Sequence, residues 1–263
     1  DWQIDEGVHF LVPCGSTGEA ATLTPDEHRR VVEIVVAQAR GRVPICAGAG
    51  SNDTKRAIAL SKAMKEAGAT HLLHVSPMYN RPPQRGIVAH FRAIAESTDL
   101  PIVVYNVPGR TASNIEAATT LELATIPGIV AIKEASGNLS QISEIIRLRP
   151  EGFAVLSGDD ALTLSVMALG GEGIISVVSN AIPGPIAKLC DAARAGDWSA
   201  ARALHHRTSP FVTAAFVESN PLPIKAALSM LGRIENYLRL PLVPMAAQHE
   251  GRVRDTLLAA GAS

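Results

Sequence analysis

The run Gly128-Ile129-Val130-Ala131-Ile132-Lys133-Glu134 reads as a strand sealed on both faces, with one amine set into its apolar end. Unbroken branched aliphatics, with no polar alternation, belong to parallel sheets covered by helices on either side. An ammonium in such a place is costly unless it is paired or sheds its proton. Once neutral, a lysine attacks carbonyls and forms a Schiff base. Taken alone, Lys133 also fits a plainer reading, a strand-end lysine whose stem lies along apolar surface while its head reaches water.

Runs of the same kind recur on either side of it. They are His9 to Cys14, Val43 to Gly48, His71 to Ser76, Pro101 to Asn106, Phe153 to Gly158 and Gly173 to Val178. Between them lie amphipathic stretches of helical period, Pro25 to Arg40, Thr54 to Ala67, Gln84 to Ser97 and Ser140 to Leu148. Two of these open on helix-start signals, Thr24-Pro25-Asp26-Glu27 and Ser51-Asn52-Asp53-Thr54. Buried strands alternating with helices predict a parallel α/β sheet. The near-regular spacing favours a (β/α)8 TIM barrel, and no Gly-x-Gly-x-x-Gly follows the first strand to support a doubly wound sheet. Seven runs are visible, so a closed barrel calls for one more βα unit upstream, roughly 25 to 30 residues.

After Ser179 the strand signals stop. Helical stretches follow at Pro183 to Ala195, Trp198 to Val217, Leu222 to Leu231 and Met245 to Ala260. The expected organisation is a barrel over residues 1–182, then the last barrel helix and a C-terminal helical appendage over 183–263, packed as one unit.

At 263 residues the chain suits one large core, with 47% apolar residues and a net charge of −1. Charges so nearly balanced, without basic patches interleaved with aromatics, do not suggest a nucleic-acid binder. No apolar run is long enough to span a bilayer. The opening Asp1-Trp2-Gln3-Ile4-Asp5-Glu6 lacks the charged and apolar regions of a signal peptide. Three widely spaced cysteines, Cys14, Cys46 and Cys190, fit free thiols in a reducing cytoplasm.

In barrels of this class, chemistry gathers at the C-terminal strand ends. The first run ends in Gly15-Ser16-Thr17-Gly18-Glu19, where hydroxyls and a tight turn can grip a carboxylate. The fourth ends in Tyr105-Asn106-Val107-Pro108-Gly109-Arg110, and the sixth in Ser157-Gly158-Asp159-Asp160. The seventh carries Ile174-Ile175-Ser176. Each has an ordinary structural explanation, but together they place hydroxyls, a phenol, an amine and a guanidinium around one mouth.

These segments, with Ile132-Lys133-Glu134-Ala135 and Phe216 through Lys225, resemble the dihydrodipicolinate synthase and N-acetylneuraminate lyase superfamily of pyruvate-dependent class I aldolases. The resemblance runs from Gly7 to about Gly251, in the family's order. Asn106 through Thr111 and Pro77-Met78-Tyr79-Asn80-Arg81-Pro82 look like the synthase branch. It implies that Lys133 forms an imine with pyruvate and that Tyr105 shuttles protons, linked through Thr17 to Tyr79 of another subunit. It implies that Ser16 and Thr17 hold the pyruvate carboxylate, with Gly158 and the Ile175 carbonyl lining the pocket. Arg110 is expected to hold the carboxylate of L-aspartate 4-semialdehyde, the partner substrate, and the product is 4-hydroxy-tetrahydrodipicolinate. No metal or organic cofactor is implied, since the imine is the electron sink, and the expected assembly is a homotetramer built as a dimer of dimers, or a dimer. Two alternatives stay open: an aldolase for 2-keto-3-deoxy sugar acids, and a non-catalytic remnant.

Several residues read as structural. His71 and His74 fall on opposite strand faces, which disfavours a metal pair. His205-His206 sits on an exposed helix, and Cys14 reads as a small buried residue.

Overall fold

Alternation along the strands sets two faces. Ala47, Leu72, Ile102, Val104, Ile132 and Val155 point to one side and pack against Val32, Met64, Ile87, Phe91, Ile94, Ile142 and Ile145 of the covering helices. Cys46, Leu73, Val103, Tyr105 and Ala131 point to the other side and form a second cluster with Ile175. In the computed structural model, which describes residues 1–262, the sheet has six strands. They are β1 (Cys46–Gly48), β2 (His71–Val75), β3 (Ile102–Asn106), β4 (Ile129–Glu134), β5 (Ala154–Ser157) and β6 (Gly173–Ile174). All neighbours are parallel and in sequential order, an open half-barrel with its smaller cluster on the inner face.

The expected first strand is the main departure. Residues 9–14 lie beside β1, with Leu11 N–H bonded to the Pro44 carbonyl and the Cys46 and Gly48 amides bonded to Leu11 and Pro13. Only one bridge forms, Leu11 with Ile45. Pro13 has no N–H to donate, and Cys14 turns left-handed at φ 58°, so the extended run ends after Val12. The expected eight-stranded closed count is therefore not what the described residues form.

Helices α1 (Trp2–Asp5), α2 (Pro25–Ala39), α3 (Thr54–Glu66) and α4 (Gln84–Ala95) begin the series. Thr24 closes a capping box with Glu27 at the start of α2, and Asp53 caps α3. Next come α5 (Pro108–Thr111), α6 (Ala117–Leu123), α7 (Leu139–Leu148) and α8 (Thr163–Ala168). The C-terminal stretch holds α9 (Pro183–Arg194), α10 (Trp198–Ala214), α11 (Leu222–Met230) and α12 (Glu250–Ala260). These four share a core with Val177 and Val178, just beyond β6. The expected domain bound at residue 263 lies outside the described residues. Among them, no helix is long and apolar enough to cross a membrane.

Behind β2 sit two buried imidazoles. His74 is bonded to the Ser61 hydroxyl at 3.1 Å, and Ser61 itself donates to the Ala57 carbonyl. His90 meets the Thr54 hydroxyl at 2.9 Å. Burial lowers His74 to about 3 and His90 to about 4. Both stay neutral in the fold but take up protons in the unfolded chain below about pH 6.5. Stability is thus retained at neutral pH and lost as pH falls from about 6.5 toward 3, by about 4 kcal/mol for the pair at pH 5. Urea midpoints at pH 7.5 and 5.0 test this, and His74→Gln should remove about half the difference. His28, His71 and His205 are lowered in the same direction.

Candidate active site

Ladder register places the reactive pair. Tyr105 on β3 is the partner of Lys133 on β4, and Asn106 of Glu134 one residue on. Side chains alternate, so Tyr105 and Lys133 face the inner cluster while Asn106 and Glu134 face the helices. Glu134 is 1% exposed and fully engaged by donors. Asn106 and Gln141 amides reach its Oε2 at 3.0 and 3.1 Å, and the Ser136 N–H reaches Oε1 at 2.6 Å. Asn106 also accepts from the Ile115 N–H at 2.9 Å. This buried polar block stiffens both strand ends from behind, which fixes the pair in front of it.

On the inner face, Lys133 Nζ stands 4.2 Å from the centre of the Tyr105 ring. An ammonium over a phenol face gains a modest cation–π attraction. Burial wins nonetheless and lowers Lys133 to about 8, opposed by Asp160 and Cys46 and assisted by Arg110. About one lysine in ten is then neutral at pH 7, against roughly one in 2,500 for an ordinary lysine. Burial pushes the Tyr105 phenol up, and the Arg110 guanidinium pulls it back.

Ser16, Thr17, Tyr105, Arg110, Lys133, Gly158 and Ile175 all line one cleft of about 1100 Å³. Tyr79 does not line it; it stands 90% exposed with φ 71°, its N–H bonded to the Thr111 carbonyl. The Gly15–Glu19 turn is closed by Gly18 N–H to the Gly15 carbonyl at 3.0 Å. Glu19 anchors the turn to the C-terminal stretch, through Lys225 Nζ and the Arg239 N–H. Among the described residues, no group of three or more His, Cys, Asp and Glu side chains is placed to hold a metal.

Two residues near this cleft have no assigned role in the sequence reading. Asn220 is 6% exposed, and its amide donates to Thr17 Oγ1 at 2.9 Å while its carbonyl accepts from Arg110 at 3.1 Å. It ties the Thr17 hydroxyl to the Arg110 guanidinium from a point over 100 residues downstream, which no local pattern reports. Asp160 is 4% exposed and acts on Lys133. The Asp159-Asp160 doublet is visible in sequence, but which carboxylate is buried is not.

Gly158 has a steric reason to be glycine. A Cβ there would lie 3.0 Å from both Cγ and Cε of Lys133 and 2.7 Å from the Ala135 Cβ. Gly158→Ala should therefore leave the protein folded but displace the amine, lowering kcat/KM for pyruvate about 100-fold, the scale of a misplacement near 1 Å. Steady-state kinetics with pyruvate varied checks this, and an unchanged value would show that Lys133 yields freely.

The comparisons with known proteins converge. The model of the dihydrodipicolinate synthetase family matches residues 1–260. A 4-hydroxy-tetrahydrodipicolinate synthase from Nitratidesulfovibrio vulgaris (strain DP4) is 50% identical over 262 residues, covering 99% of this chain and 90% of that protein. The chloride-inhibited dihydrodipicolinate synthase from Acinetobacter baumannii, solved with pyruvate, superposes with a TM-score of 0.97 at 41% identity, covering 100% of this chain and 90% of that one. A monomeric dihydrodipicolinate synthase variant superposes with a TM-score of 0.98 at 39% identity, over 100% of this chain and 89% of that one. With half its residues shared across nearly its whole length, and its fold matched as closely, this chain belongs to the dihydrodipicolinate synthetase family.

Proposed function

We propose that the protein is a lyase condensing pyruvate with L-aspartate 4-semialdehyde to 4-hydroxy-tetrahydrodipicolinate, a step toward diaminopimelate and lysine. The observation that carries this is a lysine lowered to about 8, buried on the floor of a cleft beside a phenol. Neutral Lys133 attacks the keto carbon of pyruvate and loses water to give the imine. The imine draws electrons from the methyl group, a proton leaves, and the enamine adds to the aldehyde. Ring closure and transimination then free Lys133.

Tyr105 serves as the proton shuttle. Thr17 Oγ1 accepts from Asn220, which leaves its own hydrogen to donate onward in the relay. Ser16 and Thr17 take the pyruvate carboxylate, and Gly158 and Ile175 shape the pocket around it. Arg110 takes the carboxylate of the semialdehyde. Tyr79, wholly outside its own cleft, extends the relay of a neighbouring subunit in a homo-oligomer, a dimer or a tetramer of two dimers. Residues 1–182 and 183–263 act as one unit, because Asn220 of the C-terminal part holds Thr17 of the barrel part. The half-barrel is completed to a closed eight-stranded barrel, since its inner face already carries the apolar lining of one. Three buried free thiols fit a cytoplasmic enzyme.

The test is a comparison of substrates. Condensation of pyruvate with aspartate semialdehyde should exceed cleavage of 2-keto-3-deoxy sugar acids by orders of magnitude in kcat/KM. The reverse ranking would move the protein to a sugar-acid aldolase, and turnover of neither would leave a non-catalytic remnant.

A further inference from the structure

Asp160 follows β5 and opens a short 3-10 turn, Asp160–Leu162. It is nearly sealed from solvent and does not line the cleft, so it cannot touch a substrate there. Its oxygens meet donors only. The Ser176 hydroxyl donates to Oδ1 and the Val177 N–H to Oδ2 at 2.9 Å. Ser176 Oγ already accepts from the Ser179 N–H at 2.8 Å, which leaves its hydrogen for the carboxylate. A protonated acid would turn its own hydrogen against one of these donors, so the arrangement suits the anion. Burial pulls the other way and raises Asp160, and the cation that offsets it is Lys133.

The buried groups around the two are otherwise neutral. Burial pushes the Cys46 thiol beside Lys133, and the Cys190 thiol beside Asp160, up to about 12 each. The Tyr105 phenol is raised as well, and Arg110 carries a positive charge. Asp191 and Arg194, which also act on Cys190, are exposed, so among these groups Asp160 is the buried carboxylate, and its donor-only partners favour the anion against burial. It makes no direct ion pair with Lys133 within 4.0 Å, so it acts through space in a dry medium, where a charge carries further than in water.

We propose that Asp160 is a positioning residue for charge, the counter-ion of the cationic iminium formed on Lys133. The proposal rests on the imine reading given above. In that step the nitrogen lone pair of neutral Lys133 forms a bond to the keto carbon of pyruvate. The former carbonyl oxygen takes up protons and leaves as water, so one amine, one ketone and one proton give one iminium and one water. Positive charge thus appears on a nitrogen that was neutral, opposite a carboxylate that does not move. Stabilisation by a preorganised charge at that point favours the iminium over the neutral carbinolamine. The same charge opposes deprotonation of the free lysine, so Asp160 trades some nucleophile for a more stable electron sink.

This trade gives a signature that lost packing would not. The rate and yield of pyruvate imine, trapped by borohydride, are measured against pH in wild type, Asp160→Asn and Ser176→Ala. Removing the carboxylate should move the acid limb of the trapping rate to lower pH by about one unit. The plateau yield of imine should fall about ten-fold, the equivalent of one unit. Ser176→Ala keeps the charge but loses a donor to it, and should move both readouts in the same sense by less. An unmoved acid limb in folded Asp160→Asn, or one moved to higher pH, overturns the proposal. If that variant does not fold, the Ser176→Ala limb decides by the same criterion. Absence of any wild-type adduct overturns the imine reading and this inference with it, whereas an adduct whose limb ignores Asp160 overturns this inference alone.

Discussion

Lys133→Ala should lose condensation activity by about 1,000-fold or more, equivalent to at least ~4 kcal/mol of transition-state stabilisation. Three features on one side chain lead to that figure. The amine is buried, lowered to about 8, and set 4.2 Å over a phenol ring in a cleft that small keto acids can enter. Without the amine no imine forms there, and Lys225, the other lysine lining the cleft, is held by Glu19. The change leaves the buried Asp160 without the cation that offsets it, so folding of the variant is checked by circular dichroism before its kinetics are read. The chemical counterpart is a mass shift. Borohydride with pyruvate should add one reduced adduct per chain, at Lys133 in a peptide map and absent from the alanine variant. Full turnover without a modified Lys133 would end the imine mechanism.

The second large effect belongs to Arg110, on the short helix α5 at the cleft wall. Arg110→Ala should lower kcat/KM for aspartate semialdehyde about 100-fold, near 3 kcal/mol, while leaving pyruvate imine formation within a few-fold. A guanidinium fork fixes a carboxylate at two points, so Arg110→Lys should recover only part of the loss. One correction must be made in the measurement. Arg110 also helps hold Lys133 down, so its loss lets the lysine rise and moves imine formation toward higher pH. Imine assays near pH 9 remove that secondary effect. Equal losses in both half-reactions, even there, would show that Arg110 supports the cleft as a whole.

What the chain reveals before folding follows the range of each interaction. Periodicity located α2, α3, α4, α7, α9 and α11 within two residues, because the apolar face repeats locally, and found α10 and α12 with ends off by three and five residues. It missed α6, whose Ala117–Leu123 run is short and rich in threonine, and α5 and α8. The run at 9–14 has strand composition, yet Pro13 and the left-handed Cys14 limit it to one bridge. Lys133 stood out because a lone charge in an apolar strand is visible in one dimension. Asn220 and Asp160 did not, since their importance lies in what they touch or oppose across the fold, at sequence separations of 203 and 27 residues from Thr17 and Lys133.

The block of Asn106, Glu134 and Gln141 behind the sheet divides the molecule by how readily its parts can be changed. The amine and the phenol face each other across one rung of neighbouring strands, pinned from the rear, and their amides should be among the last to exchange with deuterium. Arg110, by contrast, is exposed and sits on the short helix α5 beyond the end of β3. On the proposed reading, the chemistry is inherited with the scaffold, while the choice of aldehyde resides in the rim that carries Arg110. Grafting a different rim onto strands β3 and β4 would exchange the acceptor and leave the electron sink where it is.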